Sequence, residues 1–220
     1  KETEAADAFF DSLCADPEYG LEQAARASIL RALVSPHFCY RMDPAPVGDT
    51  VAPLSDLALA SRLSYFLWSS MPDEELLAVA RAGKLSDEAT LKSQTRRMLQ
   101  DPKVSGFALE FFGQWLGHRD FLQQESVNRT AFPAFDDALR QAMFEEPTRF
   151  LTDSIQRNEP ITRLLSSEST LVNRKLAQHY GIPFPGGETD EWVPVPGLSQ
   201  HGRGGLLGMA VFLTKNSQPQ

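Results

Sequence analysis

Ser55-Asp56-Leu57-Ala58-Leu59-Ala60-Ser61-Arg62-Leu63-Ser64-Tyr65-Phe66-Leu67-Trp68 carries one basic side chain, Arg62, beyond its leading acid. Its apolar residues recur at three and four positions, not at two, which is the spacing of a helix. Ser55-Asp56 supplies an N-cap for that helix. A helix this apolar is expected at the centre of an all-α fold. Arg62 is then expected to find a buried acceptor or carboxylate, because a guanidinium in an apolar setting needs one. Exposure of Arg62 would contradict the central position.

Outward from this helix the same spacing continues. Pro72 with Asp73-Glu74-Glu75 reads as a first helical turn, Gly83 as its stop, and Ser86-Asp87-Glu88 as the start of a helix to Leu99. Lys103 to Leu116 places Phe107, Ala108, Phe111, Phe112 and Trp115 on one broad face that is expected in the core. Gly106 and Gly113 there admit close helix contacts. After an irregular stretch at 118–133, a long helix is expected from Phe135 to Arg157, with Leu139, Met143, Phe144, Phe150, Leu151 and Ile155 inward. Pro147 inside it predicts a kink or a break near Phe144. On the other side, helices are expected over 4–15 and 21–35, and Met42 to Pro53 reads as a linker.

Beyond residue 158 the texture changes to short helices at 161–165 and 170–180, an extended piece at Trp192–Val195, and a run at Leu206–Leu213 that suits either strand or helix. The fold expected is therefore all-α, an irregular multi-helix bundle with a Pro/Gly-rich, partly extended C-terminal segment. Three parts are expected: an N-terminal helical pair at 1–50, a main helical domain at 51–185, and an extended segment at 186–220 that starts a further, truncated domain. Phe9, Ile29, Leu33, Leu63, Phe66, Leu67, Phe111, Phe112, Trp115, Leu139 and Phe150 are the expected core.

Composition narrows the function classes. With 220 residues, 42% hydrophobic content and a net charge of −8, the chain can fold but offers no basic surface for nucleic acid. No apolar run is long enough to span a membrane. Cys14 and Cys39 fit no CxxC, CxxCH or zinc spacing; one disulfide or two buried thiols both remain open. No HExxH, GxSxG, P-loop or Glu-x-x-His pair is present, so no resident metal site is expected. Gly202-Arg203-Gly204-Gly205-Leu206-Leu207-Gly208 reads as a tight turn rather than an anion site.

Among the histidines, His37, His118 and His201 read as ordinary, partly buried rings. His179 stands at a helix end beside Tyr180 and Gly181, where a proton carrier or an axial haem or metal ligand would fit. Asp136, Asp137, Glu145 and Glu146 read as a solvated carboxylate row, since one helix offers no opposing wall for paired acid–base work. Trp192, among prolines and acids, is the tryptophan expected to be most exposed.

Ser35-Pro36-His37-Phe38 with Tyr40-Arg41, and Leu59-Ala60-Ser61-Arg62-Leu63-Ser64-Tyr65-Phe66-Leu67-Trp68-Ser69-Ser70-Met71-Pro72-Asp73, form the first blocks of a family resemblance. Arg97-Met98-Leu99, Asp101-Pro102-Lys103, Phe112-Gly113-Gln114-Trp115-Leu116, Val172-Asn173, Leu176-Ala177 and His179-Tyr180-Gly181-Ile182-Pro183 follow in order. Together they resemble the multidomain cytochrome c-associated proteins of planctomycetes and related bacteria, helical domains of unknown function. Arg203-Gly204-Gly205-Leu206-Leu207 resembles the opening of the next domain in those proteins. At Pro147 this chain departs from the small hydroxyl residue usual in that family.

The resemblance implies a helical fold, an extracytoplasmic location (periplasm or cell surface), and other domains of the same polypeptide as partners, a cytochrome domain among them. It implies electron transfer or oxidative chemistry on an organic substrate. With no CxxCH, this chain is expected to hold no cofactor, and any haem c would sit elsewhere in the parent. No catalytic residues carry over. Arg62, Trp68, Asn173, His179 and Tyr180 are the candidate functional residues, as polar or amphipathic groups inside the matching blocks. The competing reading is a carbohydrate- or protein-binding module gripping through Trp192 and Tyr180. A hydrolase using His179 with Glu145 or Glu146 has no support in the spacing.

Overall fold

The structure, a computed structural model, describes residues 2–40, 53–124 and 127–217. The chain divides into two compact units, Lys1–Leu54 and Ser55–Gln220. Most of the expected linker, residues 41–52, lies outside the described residues.

The first unit holds α1 (Glu2–Cys14), α2 (Leu21–Leu33) and the short α3 (Pro36–Cys39). Ala24 is its buried apolar residue, and the Arg31 guanidinium lies 4.3 Å over the Phe9 ring. Ile29 and Leu33, expected in a core, are exposed along with Leu30 and Phe38. So few residues cannot enclose their own apolar stripe, because a small unit has too much surface for its volume. Cys14 and Cys39 are separate, exposed thiols rather than buried ones.

The second unit is built around two cores. The smaller is enclosed by α4 (Asp56–Trp68), α5 (Glu74–Arg81) and α6 (Glu88–Gln100), with Ala60, Leu67, Trp68, Leu76, Leu85 and Met98 inside. Three caps fix these helices. Ser55 accepts from the Ala58 amide, Asp73 from Leu76 and Asp87 from Thr90. Asp73 also receives a two-pronged bond from Arg97, at 2.6 and 3.0 Å. Trp68 donates its indole N–H to the Met98 carbonyl at 2.9 Å and is buried.

This arrangement corrects the reading of α4. Arg62 and Phe66 are exposed, so α4 is one wall of a satellite core and not the centre of the fold. An apolar helix with one buried face and one aromatic, partly wet face produces the same sequence pattern as a fully buried one.

The larger core lies around α9 (Asp137–Gln156), which is unbroken through Pro147. The loss of one backbone donor there does not end the helix. Between the two cores, residues 105–115 are helical throughout: α7 (Ser105–Phe107), a π turn (Ala108–Phe112) and α8 (Gly113–Trp115). Ala108 and Phe112 face inward, while Phe111 and Trp115 are exposed. Phe66, Phe107, Phe111 and Trp115 follow one another with ring centres 5.0, 5.1 and 6.3 Å apart.

The remaining elements close the larger core. They are α10 (Arg163–Ser166), β1 (Thr170–Val172), α11 (Arg174–Tyr180), β2 (Val193–Val195) and α12 (Ala210–Asn216). The strands pair antiparallel, Thr170 opposite Val195 and Val172 opposite Val193. Leu198, Leu206, Met209, Ala210, Val211 and Phe212 are buried in the same core as Leu139 and Phe150. Residues 186–217 are thus part of the second unit, not a separate segment; their apolar side chains complete the wall that α9 lacks. Among the described residues the fold is all-α apart from this two-stranded ribbon.

Gly106 makes the α4–α7 approach possible: a Cβ there would meet the Trp68 carbonyl oxygen at 2.6 Å. At Gly113 the nearest atom to an added Cβ is 3.5 Å away. Gly106→Ala is therefore expected to destabilise the second unit by about 1–3 kcal/mol through forced backbone displacement. Gly113→Ala should be neutral or stabilise by up to roughly 1 kcal/mol through helix propensity. Urea midpoints of the two variants check the contrast.

Candidate functional site

The last turn of α11 is the point where the sequence candidates meet. Asn173 begins this helix by accepting the Leu176 amide at 2.9 Å, and Gly181, at φ +67°, ends it. His179 and Tyr180 then project from the final turn, their rings 5.7 Å apart. Tyr180 points inward and is 8% exposed. His179 stands at the rim of a cavity.

Tyr180 donates its phenolic hydrogen to Glu146 Oε2 and accepts the Ala210 amide at 2.8 Å. Thr170 donates to the other oxygen, Oε1, at 2.9 Å. One carboxyl thereby joins α9, β1, α11 and, through the tyrosine, the start of α12. Glu146 is 1% exposed, which corrects its reading as part of a solvated row. Glu145, its neighbour, does meet solvent, paired to Arg149 at 2.8 Å.

Arg203 lies 4.0 Å over the Tyr180 ring and donates to the Gly208 carbonyl at 3.1 Å. The glycine-rich turn sets that position. Gly205 adopts φ +57°, and a Cβ there would strike the Leu165 carbonyl oxygen at 2.2 Å, so no other residue fits. Its amide donates to Ser167 O at 2.8 Å. Beneath Arg203 is a void of about 10 Å³ bordered by Glu146, Thr170 and Tyr180.

Burial pushes the Glu146 carboxyl up to about 7, against the opposing pull of the Tyr180 and Thr170 bonds. Burial likewise raises Tyr180, with the nearby Glu146 charge adding to it. His179 is held below the ordinary imidazole value by burial and then by the Arg203 charge. His118 is the other perturbed base. It is fully buried against Phe144 and Phe212, neither ring nitrogen has a partner, and burial together with Lys215 lowers it to about 4.

The cavity beside His179 has a volume of about 410 Å³. Val127, Phe132, Phe135, Leu139 and Met143 form most of its wall, and Thr214 adds a hydroxyl. Such a volume, apolar lining and single imidazole suit a small organic molecule.

The other candidates do not join this site. Trp68 and Arg62 belong to the α4 region, and Trp68 is committed to Met98. Trp192 is half-buried, with Arg149 4.7 Å over its ring, and Tyr180 faces inward, so the two do not form a shared sugar platform. Among the described residues, no group of three or more His, Cys, Asp or Glu could hold a metal ion. Glu146 is the residue that sequence reasoning missed. A signal was available: it stands three residues after Met143 and four before Phe150, in register with the buried stripe of α9.

Residues 54–182 match PSD4, a family described as a protein of unknown function (DUF1592). The chain belongs to this family. No curated protein and no solved structure matches it. The PSD4 match begins one residue before the second unit and ends two residues after Tyr180. Glu146, Thr170, His179 and Tyr180 therefore lie inside it, whereas Arg203 and Ala210 come from beyond it.

Glu146 and His118 give opposite pH dependences. The folded-state value of Glu146 lies above its ordinary 4.5, so its contribution is complete below about 4.5 and lost as pH rises through about 7. The folded-state value of His118 lies below its ordinary 6.5, so its contribution is complete above 6.5 and lost as pH falls through about 4. Asp56, Asp73, Asp87 and Asp136, held low by their hydrogen bonds, act below this window. Urea unfolding across the window should show stability rising with pH in Glu146→Gln and, once the lowered His179 is removed as well, falling with pH in His118→Leu/His179→Ala. Each change should reach roughly 3 kcal/mol, at about 1.4 kcal/mol per pKa unit.

Proposed function

We propose that this PSD4 chain is a haem-free helical domain of an exported, multidomain redox protein, and that it holds a small, largely apolar organic molecule in the cavity beside His179. The cavity of about 410 Å³ is the observation that carries this reading. Its walls supply apolar contact and its rim supplies one imidazole, neutral at pH 7, that can exchange a hydrogen bond with a hydroxyl group. An aromatic alcohol or phenol has both features.

The redox setting and the export rest on the ordered blocks that resemble cytochrome c-associated proteins. With no CxxCH in the sequence, any covalent haem of the parent would be carried by another of its domains. Other domains of the same polypeptide are then the partners. Among the described residues no helix is long and apolar enough to cross a membrane.

Calorimetric titration with p-cresol tests the cavity. The chain should bind it, and Ala131→Trp, which fills the cavity from an exposed loop position, should weaken binding at least about tenfold, or 1.4 kcal/mol. His179→Ala should weaken it by roughly fivefold, the worth of one hydrogen bond. Equal affinity in wild type and Ala131→Trp would exclude this cavity. The setting is tested separately: the parent, purified from a cytochrome-maturing host, should show a haem Soret band that the 220-residue chain lacks.

A further inference from the structure

The buried pair at Tyr180 carries more chemistry than a latch needs. A latch requires an acceptor for the Tyr180 hydroxyl and a partner for the Thr170 hydroxyl, and a glutamine would serve, its oxygen accepting from Tyr180 and its amide group donating to Thr170. Glutamine carries no charge and would avoid the cost of placing an ionisable carboxyl where 1% of its surface meets solvent. What a carboxylate adds is basicity, at hydrogen-bond distance from a phenol. Tyr180 is also the aromatic ring that backs the cavity imidazole, with 5.7 Å between ring centres.

We propose that Tyr180 is a redox-active tyrosine that gives one electron to a high-potential one-electron oxidant, a haem domain in the parent, while its phenolic proton passes to Glu146 Oε2. The Tyr180 O–H bond breaks and a Glu146 O–H bond forms. The products are a neutral tyrosyl radical, a carboxylic acid and the oxidant reduced by one electron; re-reduction returns the proton along the same bond. The role as a relay rests on the redox setting proposed above, but the chemistry at Tyr180 and Glu146 does not.

Proton transfer is what makes the step feasible at this position. Loss of an electron alone would leave a cationic phenol ring 4.0 Å beneath the Arg203 guanidinium. With the proton moved to Glu146, the ring stays neutral and the buried carboxylate is neutralised. The groups facing Glu146 are Tyr180 of α11, Thr170 of β1 and Arg203 of the glycine-rich turn; the Ala210 amide of α12 reaches it through the tyrosine oxygen. Among these groups and Glu146 itself, it is the carboxyl that is raised to about 7, so the pH response belongs to it. Glu146 is ionised above about pH 7, and radical formation should grow through that range. Burial of Tyr180 under Arg203 also shields the radical from solvent.

Flash-quench oxidation of the 220-residue chain with ruthenium tris-bipyridine, read by electron paramagnetic resonance, tests this. The background is Tyr19→Phe/Tyr40→Phe/Tyr65→Phe, which leaves Tyr180 as the single tyrosine. A neutral tyrosyl signal is expected there, rising with pH through 7 and abolished by Tyr180→Phe. Glu146→Gln, whose oxygen accepts from Tyr180 while its amide group donates to the Thr170 hydroxyl, should remain folded by circular dichroism and slow radical formation by about a hundredfold, the scale of a lost general base. A folded single-tyrosine chain that gives no radical where free tyrosinamide does would overturn the proposal. So would an unchanged rate and pH profile in Glu146→Gln. Neither result depends on p-cresol binding or on the parent's haem, so failure here and failure of the functional reading are separable.

Discussion

The larger core of the second unit is tied together by a single buried carboxyl. Glu146 stands on α9 inside the larger core, and β1, α11 and α12 reach it directly or through one atom. Thr170 brings in the ribbon, Tyr180 brings in α11, and the tyrosine oxygen takes the Ala210 amide at the start of α12. A buried polar group without partners costs about 1–3 kcal/mol. The carboxyl therefore admits few arrangements of residues 170–210. Met209, Val211 and Phe212, the neighbours of that amide, are buried in the same core, so polar register and apolar burial agree on one geometry.

The glycine-rich turn and α11 serve this constraint from two sides. Gly205 lets the chain pass against the Leu165 carbonyl, and Arg203 is carried over the Tyr180 ring. Asn173 and Gly181 bound α11 so that His179 and Tyr180 fall on its last turn, one toward the cavity and one toward the carboxyl. The proposed ligand site and the proposed redox pair thus share one short helix. The α4–α6 region stands apart from this chemistry. Its own cluster, Trp68 on Met98 and Arg97 on Asp73, is a structural core.

Much of this fold was legible in the sequence because helix ends are local. Ser55, Asp73 and Asp87 cap where their side chains and neighbours required, and Gly106 marks the close approach its missing Cβ allows. What the sequence concealed was set by partners far along the chain. Arg62, Phe66, Phe111 and Trp115 lie on apolar faces whose exposure depends on where other helices stop, and no periodicity encodes that. Residues 170–172 look helical beside 174–180, yet they pair with Val193–Val195, more than twenty residues away. His179 and Tyr180 were singled out as a helix-end pair. Glu146 was grouped with Glu145 because adjacent acids suggest a wet face, although its register with Met143 and Phe150 placed it inside.

The most direct measurement is a ¹³C NMR titration of the Glu146 side-chain carboxyl in labelled protein, assigned by comparison with Glu146→Gln. Burial should raise its midpoint well above the ordinary carboxylate range, to about 7. The Tyr180 ring signals should shift at the same midpoint. A midpoint at the ordinary glutamate value of 4.5 would contradict burial as the force that sets this carboxyl, and with it the account of the core built around it.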